Sequence, residues 1–410
     1  MLHQCKLFAL MVLAIFQLVF LQAFLHNIKP DFTRNVTMMD FCKSNHFFVQ
    51  KQPQLMQKEE DQIIDPQPTF ETSSQDIKKA IDLCIEYFKQ SVQACSIFHL
   101  TPNGVYMDFA TSRGCFETTN STGALKWTHA ASRSSYIAGF LSQLNVQKNT
   151  TLVFYHRDTI PNHFNGYPII THTTQSHQDF ILFPTPYMLR DLNNGELSRT
   201  LSYCSGRHKE MVKRLEKRIH DVYFRGHYRN DFRLQVAHHH GNGTEQLPFN
   251  VQFTVLPDDS NLTKTKVTKW TDKMDHEYLL TLRGGYSSQW NVYQDYIAAG
   301  VIVRETSDKK EFWNYDLITQ HSHNFVNFET VDSIADKILS STVQKRKQDM
   351  ADFTSRAACS LLHPDKLYTF GQKFIDQYST KFQSFYHGKT YELSSGHKWR
   401  PELVELPLSN

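Results

Sequence analysis

Apolar positions recur at helical spacing just after Asp76: Ile77, Ala80, Ile81, Cys84, Ile85 and Phe88 line one face of a 3.6-residue period. That pattern predicts an amphipathic helix. "NGVYMDFA" then reads as a turn and a strand, and "HAASRSSYIAGFLSQL" as a helix. "TTLVFYHRD" is an apolar run of strand type ending at Asp158, and "DFILFPTP" is a second run closed by two prolines. Residues 207–220 predict a long basic helix, with Met211, Leu215 and Ile219 on one face, feeding straight into the short strand "VYF". Two more strands, "EYLLTL" and "GVIVRE", flank a further helix, and the C-terminal part reads as helical. Strands alternating with helices imply an α/β chain with parallel sheet, and 410 residues leave room for two lobes.

The longest apolar run stands outside this alternation. Residues 7–25, "LFALMVLAIFQLVFLQAFL", carry no charge and only Gln17 and Gln22 as polar members. As a helix the run is just long enough to cross a bilayer core. It lacks the small-x-small cleavage site of a signal peptide, so a transmembrane signal-anchor is expected, with a cleaved signal as the alternative. Residues 1–6 would then be a cytosolic tail, and the Gln- and Pro-bearing residues 26–75 a stem.

Flanking charge does not orient this segment, because Lys6 precedes it and Lys29 and Arg34 follow. Five N-x-Thr sequons do, at Asn35, Asn120, Asn149, Asn242 and Asn261, all downstream. They place the body in the secretory lumen, as a type II single-pass glycoprotein. Six of the 7 cysteines are also downstream, and in an oxidising compartment they fit three disulfides, whose pairing the sequence leaves open. The C-terminal "ELPLSN" is not a retention signal of the K-D-E-L type, which favours the Golgi over the endoplasmic reticulum. A net charge of +3, from 44 Lys+Arg against 41 Asp+Glu, argues against nucleic acid as the main partner. Aromatic residues at 13% argue for a packed body rather than disorder.

Candidate chemistry gathers just after the strands, where open parallel sheets bind ligands. "HRD" at 156–158 invites a kinase reading, but the Asn five residues after the Asp is replaced by His163, and D-F-G, A-P-E and an opening G-x-G-x-x-G are missing. Asp158 can instead act as a general base toward a hydroxyl, or simply cap a turn. In "FRGHYRNDFR", Arg225, Arg229 and Arg233 surround Gly226 and suit phosphate oxygens, although a solvated basic loop would read the same. "RGGYSSQW" offers Gly284, Gly285, Ser287 and Ser288 before a helix start, a weak anion signal. His238 to His240 could hold metal, but beside the Asn242 sequon a solvated loop is the plainer reading; D-x-D is lacking throughout.

Taken in order, these segments resemble glycosyltransferase family 90, the protein O-glucosyltransferase and capsule-associated xylosyltransferase family. "NTTLVFYHRDTIP" is similar to that family's strand ending in Arg-Asp-x-Pro, with one residue inserted before Pro161. "YPIITHTTQSHQDFILFPTPYML" resembles the next segment, through Asp179 and Pro184. "VYFRGHYRNDFR" resembles its Phe-Arg-Gly with a second Arg eight residues on, here Arg225, Gly226 and Arg233. "EYLLTLRGGYSSQWNVYQDYIAAGVIVRE" resembles the donor loop and its helix, and "EFWNYDLITQHSHNFVNF" the aromatic segment. The likeness covers residues 80–380, roughly.

The resemblance implies two Rossmann-like lobes of GT-B type: residues 76–200 with the catalytic base, and 201–395 with the nucleotide-sugar site and C-terminal helices. It implies inverting transfer of glucose or xylose from a UDP-sugar to a hydroxyl of a protein or glycan, with no metal or other cofactor. Asp158 would be the base, Asp179 would lie on the acceptor side, and Arg225, Gly226, Arg233, Gly284, Gly285, Ser287 and Ser288 would hold the donor. One departure cuts against this. The family's donor loop carries an Arg where this chain has Trp290, with Arg283 on the other side of the loop. A binding-only lumenal relative is therefore the alternative.

Overall fold

The computed structural model describes residues 68, 70, 72–90, 95–108, 116–118, 125–127, 129–156, 161–175, 178–205, 213–228, 230–239, 247–256, 264–266, 268–282, 292–306, 309–312, 320–386, 388–401 and 404–405. The expected tail, anchor and most of the stem lie outside them. Among the described residues no helix is long and apolar enough to cross a membrane.

The helix predicted from Ile77 is α1 (Ile77–Gln90). Asp76 starts it by accepting the Lys79 N–H at 2.9 Å, the usual satisfaction of a first-turn donor. β1 (Cys95–Thr101) and β2 (Gly104–Asp108) follow, then the paired strands β3 (Phe116–Thr118) and β4 (Leu125–Trp127), α2 (His129–Leu141) and β5 (Thr150–Tyr155). Short strands β6 (Ile170–Thr171), β7 (Thr173–Gln175) and β8 (Ile181–Leu182) lead to α3 (Pro186–Asn193) and α4 (Glu196–Leu201). The second lobe begins at β9 (Ile219–His227), and continues through α5 (Asp231–His239), β10 (Phe249–Val255), β11 (His276–Thr281), α6 (Val292–Ile297), β12 (Val301–Glu305), β13 (Lys309–Glu311) and β14 (Val326–Phe328). Helices α7 (Ser333–Leu339), α8 (Ser341–Leu361) and α9 (Pro364–Lys381) precede the closing strands β15 (Tyr391–Glu392), β16 (Lys398–Trp399) and β17 (Val404–Glu405).

The second sheet is wholly parallel, in the order β10-β9-β11-β12-β14. Counted along the chain this is 2-1-3-4-5, a doubly wound order whose direction of winding reverses between β9 and β11. Its strands feed both faces. Val222, Phe224, Tyr278, Leu280, Val301 and Val303 enter one core with α7 and the first half of α8. Tyr223, Leu279 and Ile302 enter a second core that continues into the first lobe. Burial on both faces is why these strands are near-continuous apolar runs.

The first sheet departs from the expectation of parallel strands. Its order is β17-β2-β1-β5-β6-β8, with β1 antiparallel to both β2 and β5; the β5-β6 and β6-β8 pairs are parallel. The reason is local. Two residues, Pro102 and Asn103, join β1 to β2, and Thr101 Oγ1 accepts the Asn103 and Gly104 N–H groups at 3.2 Å each. So short a connection can join only antiparallel neighbours.

The C-terminal helices do not all stay with the second lobe. Met350 and Ala351 of α8 sit in its core, whereas Ala357, Ala358 and Leu361 reach the core shared with the first sheet. α9 then packs mainly on the first lobe, with Phe370 also meeting Phe312 of the second at 4.5 Å. His363 caps it, Pro364 opens it, and Leu367, Phe370, Phe374 and Tyr378 recur on its buried face. Phe374 meets Phe183 at 4.8 Å, and Gly371 lies so close to Phe140 that a Cβ would come within 2.7 Å of its Cζ.

The predicted basic helix over 207–220 is not formed in its described part. Lys213 and Arg214 are irregular, Leu215–Lys217 make a single 3₁₀ turn, and β9 has begun by Ile219. Arg218 explains the change: it is buried, its Nε donates to Lys213 O at 2.8 Å, and its Nη1 donates to His276 O at 3.2 Å and Ala298 O at 2.9 Å. Burial lowers its pKa to about 10. Three carbonyls, two of them in buried bonds, reward an extended entry into the sheet more than helix propensity rewards a surface turn.

Candidate functional site

The two sets of strand ends meet. After β6 the chain makes β7, and after β12 it makes β13, and these pair antiparallel across the lobes with Lys309 opposite Gln175, Lys310 opposite Thr174 and Glu311 opposite Thr173. The carboxyl ends of β6 and β12 are therefore brought side by side. A second tie runs alongside. Tyr293 of α6 donates its hydroxyl to Asp191 Oδ2 of α3 at 2.7 Å, and Arg190 binds Asp191 Oδ1 through Nη2 at 2.7 Å and Nε at 2.8 Å. Burial pushes the Tyr293 phenol up, so it stays a donor.

On the first-lobe side, His156 follows β5 directly. Its Nε2 lies 2.6 Å from Ser96 Oγ of β1 and 3.2 Å from Ser134 Oγ of α2, and the two hydroxyls are 2.5 Å apart. All three residues are buried. Burial first, then nearby Arg133 and His172, holds the imidazole well below its ordinary pKa, so it is neutral near pH 7. Arg133 and Arg190 each place a guanidinium 5.5 Å from the Tyr187 ring centroid. From sequence His156 was read only as the first residue of H-R-D, and Ser96 and Ser134 were not singled out, because serines on two separate elements leave no spacing signal.

Of the predicted residues, Asp158, Gly284, Gly285, Ser287 and Ser288 lie outside the described residues, as do Trp290, Arg229 and the sequons at Asn35, Asn120, Asn242 and Asn261. Asn149 is partly exposed just before β5. Asp179 is partly exposed, two residues ahead of β8, and its N–H donates to Asn165 Oδ1 at 2.7 Å. His238 is exposed on the last turn of α5, so the His run begins on a helix rather than in the expected loop.

Arg225 and Gly226 are neighbours on β9, but Arg225 and Arg233 lie on opposite faces of the sheet, over Tyr223 and Phe224 respectively, and both bind the protein itself. Arg233 is buried, donating from Nη1 to His227 O at 2.8 Å and from Nη2 to Leu282 O at 2.9 Å, which pins the ends of β9 and β11 to each other across the winding reversal. Gly226 makes room for this: a Cβ there would fall 2.8 Å from Phe224 Cζ and 3.7 Å from Arg233 Nη1. Arg225 lies over the Tyr223 ring at 4.5 Å and donates to Phe224 O, Asn250 O and Asn250 Oδ1. Burial lowers its pKa, with Tyr223, Asp221 and Asp272 opposing the change.

Of the three disulfides expected, the described residues show one, Cys204–Cys359, which ties the end of the first lobe to α8. Cys84 and Cys95 are buried in the first-lobe core, and Cys42 and Cys115 lie outside the described residues.

Among solved structures, the chain is similar to two of an alpha1,3-fucosyltransferase, the second with GDP. The first shows 13% identity and a TM-score of 0.32, over 48% of this chain and 63% of that one. The second shows 11% identity and a TM-score of 0.33, over 56% and 75%. The chain thus spans less than two thirds of the first structure's length, and both scores are too low to establish a shared fold. No family model matches the chain, and no curated protein does.

Proposed function

We propose that this chain is a lumenal glycosyltransferase of GT-B type that moves a sugar from a nucleoside diphosphate donor to a hydroxyl. The observation that carries the reading is the β7–β13 ribbon, which sets the ligand-binding edge of a 2-1-3-4-5 parallel sheet against the strand ends of a second lobe. Two such edges set side by side suit a reaction with two substrates. The resemblance read from the sequence supplies the finer terms: a UDP-sugar carrying glucose or xylose, inversion, no metal, and Asp158 as the base that takes the acceptor proton. The departing diphosphate would be stabilised from the β9 and β11 side, where charge develops in the transition state.

The test is release of free nucleotide by purified residues 26–410 with EDTA present, across UDP-glucose, UDP-xylose, UDP-galactose, UDP-N-acetylglucosamine and GDP-fucose. One donor should be turned over, and Asp158→Asn should cut that rate by about a hundredfold or more while leaving the melting temperature in place. Full activity in Asp158→Asn would remove the base from this reading. A binding-only relative is the second reading, favoured by the internal bonds of Arg225 and Arg233 and by Trp290 in the donor loop. It predicts nucleotide binding without release from any donor.

A further inference from the structure

The carboxyl ends of the first sheet's parallel strands carry a basic and aromatic cluster to which the proposed reaction assigns no part. His156 follows β5, His172 follows β6, and α3 opens just past β8. Ser134 Oγ of α2 lies 3.2 Å from His156 Nε2, which brings the first half of α2 to the same place, and Arg133 with it. Tyr187, Arg190 and Asp191 stand at i, i+3 and i+4 on α3 and so share one of its faces. Asp191 meets Tyr293 in the first turn of α6, the crossover helix that leaves the carboxyl side of β11. The cluster therefore stands beside a tie between the lobes.

Its charge leans positive. The guanidiniums of Arg133 and Arg190 each lie 5.5 Å from the centroid of one ring, that of Tyr187. Attraction to the ring holds both there against their mutual repulsion. Among the described residues, the carboxylate built into this cluster is Asp191, and it is already engaged: Oδ1 with Arg190 and Oδ2 with Tyr293. It offsets one guanidinium of the two. The His156 imidazole, neutral near pH 7, adds no negative charge. The Arg190 side chain is 31% exposed, and Arg133 and Tyr187 are partly exposed, so an outside group can reach them.

Guanidinium suits an anion with two or more oxygens. Two positive charges about one ring suit a single anionic group better than a run of acidic residues, whose charges are spread along a chain. Tyr136, one turn on from Arg133, and Tyr187 add partly exposed ring surface and phenol hydroxyls, against which a sugar can pack and hydrogen-bond. Burial pushes the Tyr136 phenol up, with Arg190 opposing, so the hydroxyl stays protonated.

We propose that Arg133 and Arg190, held about Tyr187, form a subsite for an anionic group, a carboxylate or a sulfate ester, on a saccharide acceptor. This rests on the transferase reading above, and adds the charge class of the acceptor and the residues that select it. Arg133 is the more telling of the two, because Arg190 also holds Asp191.

Ligand-observed NMR on the full glycoprotein tests this, with methyl β-glucuronide, methyl β-glucoside, a sulfate ester of the latter, a polyglutamate peptide and UDP as probes. An acidic saccharide should bind about tenfold or more tighter than methyl glucoside. Arg133→Gln should remove most of that preference and leave methyl glucoside affinity in place. Should that variant fail to fold, Arg133→Lys makes the same comparison, with the charge kept and the fork lost. Whichever of the carboxylate and the sulfate gives the larger preference supports the subsite and names the source of the anion. Equal affinity for glucuronide, sulfate ester and glucoside, in a protein that releases nucleotide from a donor, overturns the subsite and spares the transferase reading. A preference lost in Arg133→Gln, in a protein that releases nucleotide from no donor, supports the subsite and overturns the transferase reading. Weakening of UDP as severe as that of the acidic saccharide would mean a loosened body and overturns the subsite. Tighter binding of polyglutamate than of either acidic saccharide overturns the saccharide assignment.

Discussion

The two sheets obey different rules. The second is parallel throughout, and every crossover brings the chain back to the same edge, so all its strand ends gather where Arg233 and Leu282 lie. The first is parallel only from β5 to β8; its other half is antiparallel and is closed by β17, from the far end of the chain. A parallel sheet supplies a ligand edge as a by-product of its winding. The mixed sheet supplies one only over half its width, and its antiparallel half serves to bury α1 and the C-terminal residues. The lobes also differ in what completes them. The second lobe's sheet-and-helix core draws on residues 215–351, whereas the first needs α9, more than two hundred residues after β5.

The sharpest way to break this contrast is Phe374→Ala. Phe374 is fully buried against Phe183 and Phe70, and its loss should cost about 3–5 kcal/mol. Amides of β1 and β5 should lose hydrogen-exchange protection before those of β9 and β11. Simultaneous loss in both sheets would mean the lobes are one cooperative unit.

Next comes the Cys204–Cys359 bridge, which closes a loop with a sequence separation of 155. Replacing both cysteines by serine should lower stability by about 2–5 kcal/mol in denaturant titration. The destabilisation should vanish when the wild-type protein is compared under reducing conditions. An unchanged midpoint would show that the shared core alone holds α8 in place.

The smallest effect separates the lobes by pH. His156 in the first lobe has its pKa lowered by burial, so the unfolded chain takes up a proton that the folded one refuses. Its contribution is fully present above about pH 6.5 and is lost as pH falls below that, at up to about 1.4 kcal/mol per unit. Glu277 in the second lobe is buried, which alone would raise its pKa, yet Lys347 and His220, each 2.5 Å away, bring it below the ordinary value. Its contribution is present above the ordinary carboxylate range and is lost only at more acid pH. Stability should therefore decline in two stages on acidification. Substituting His156 by Asn should remove the one nearer neutrality, and a decline unchanged by that substitution would assign it elsewhere.

Local pattern was enough to find many of these elements. The periodic face from Ile77 to Phe88 is α1, "TTLVFY" is β5, and "EYLLTL" and "GVIVRE" are β11 and β12, because burial and period are written in neighbouring residues. The glycine at 226 was also legible, though its immediate use is to clear Phe224. Long-range pairing was not legible. Residues 207–220 carry a helical period, but the carbonyls of His276 and Ala298, 58 and 80 residues from Arg218, reward an extended entry instead. Asn250 gives no signal as a partner of Arg225, and Ser96 and Ser134 give none as partners of His156. The β7–β13 ribbon joins segments far apart in the chain. Side-chain type and period act over a few residues, so the sequence alone determined which segments form strands and helices and where charge and small residues gather. Which strands neighbour one another, which carbonyls a buried guanidinium reaches and which strand ends meet depend on contacts between distant segments, and only the tertiary structure decided them.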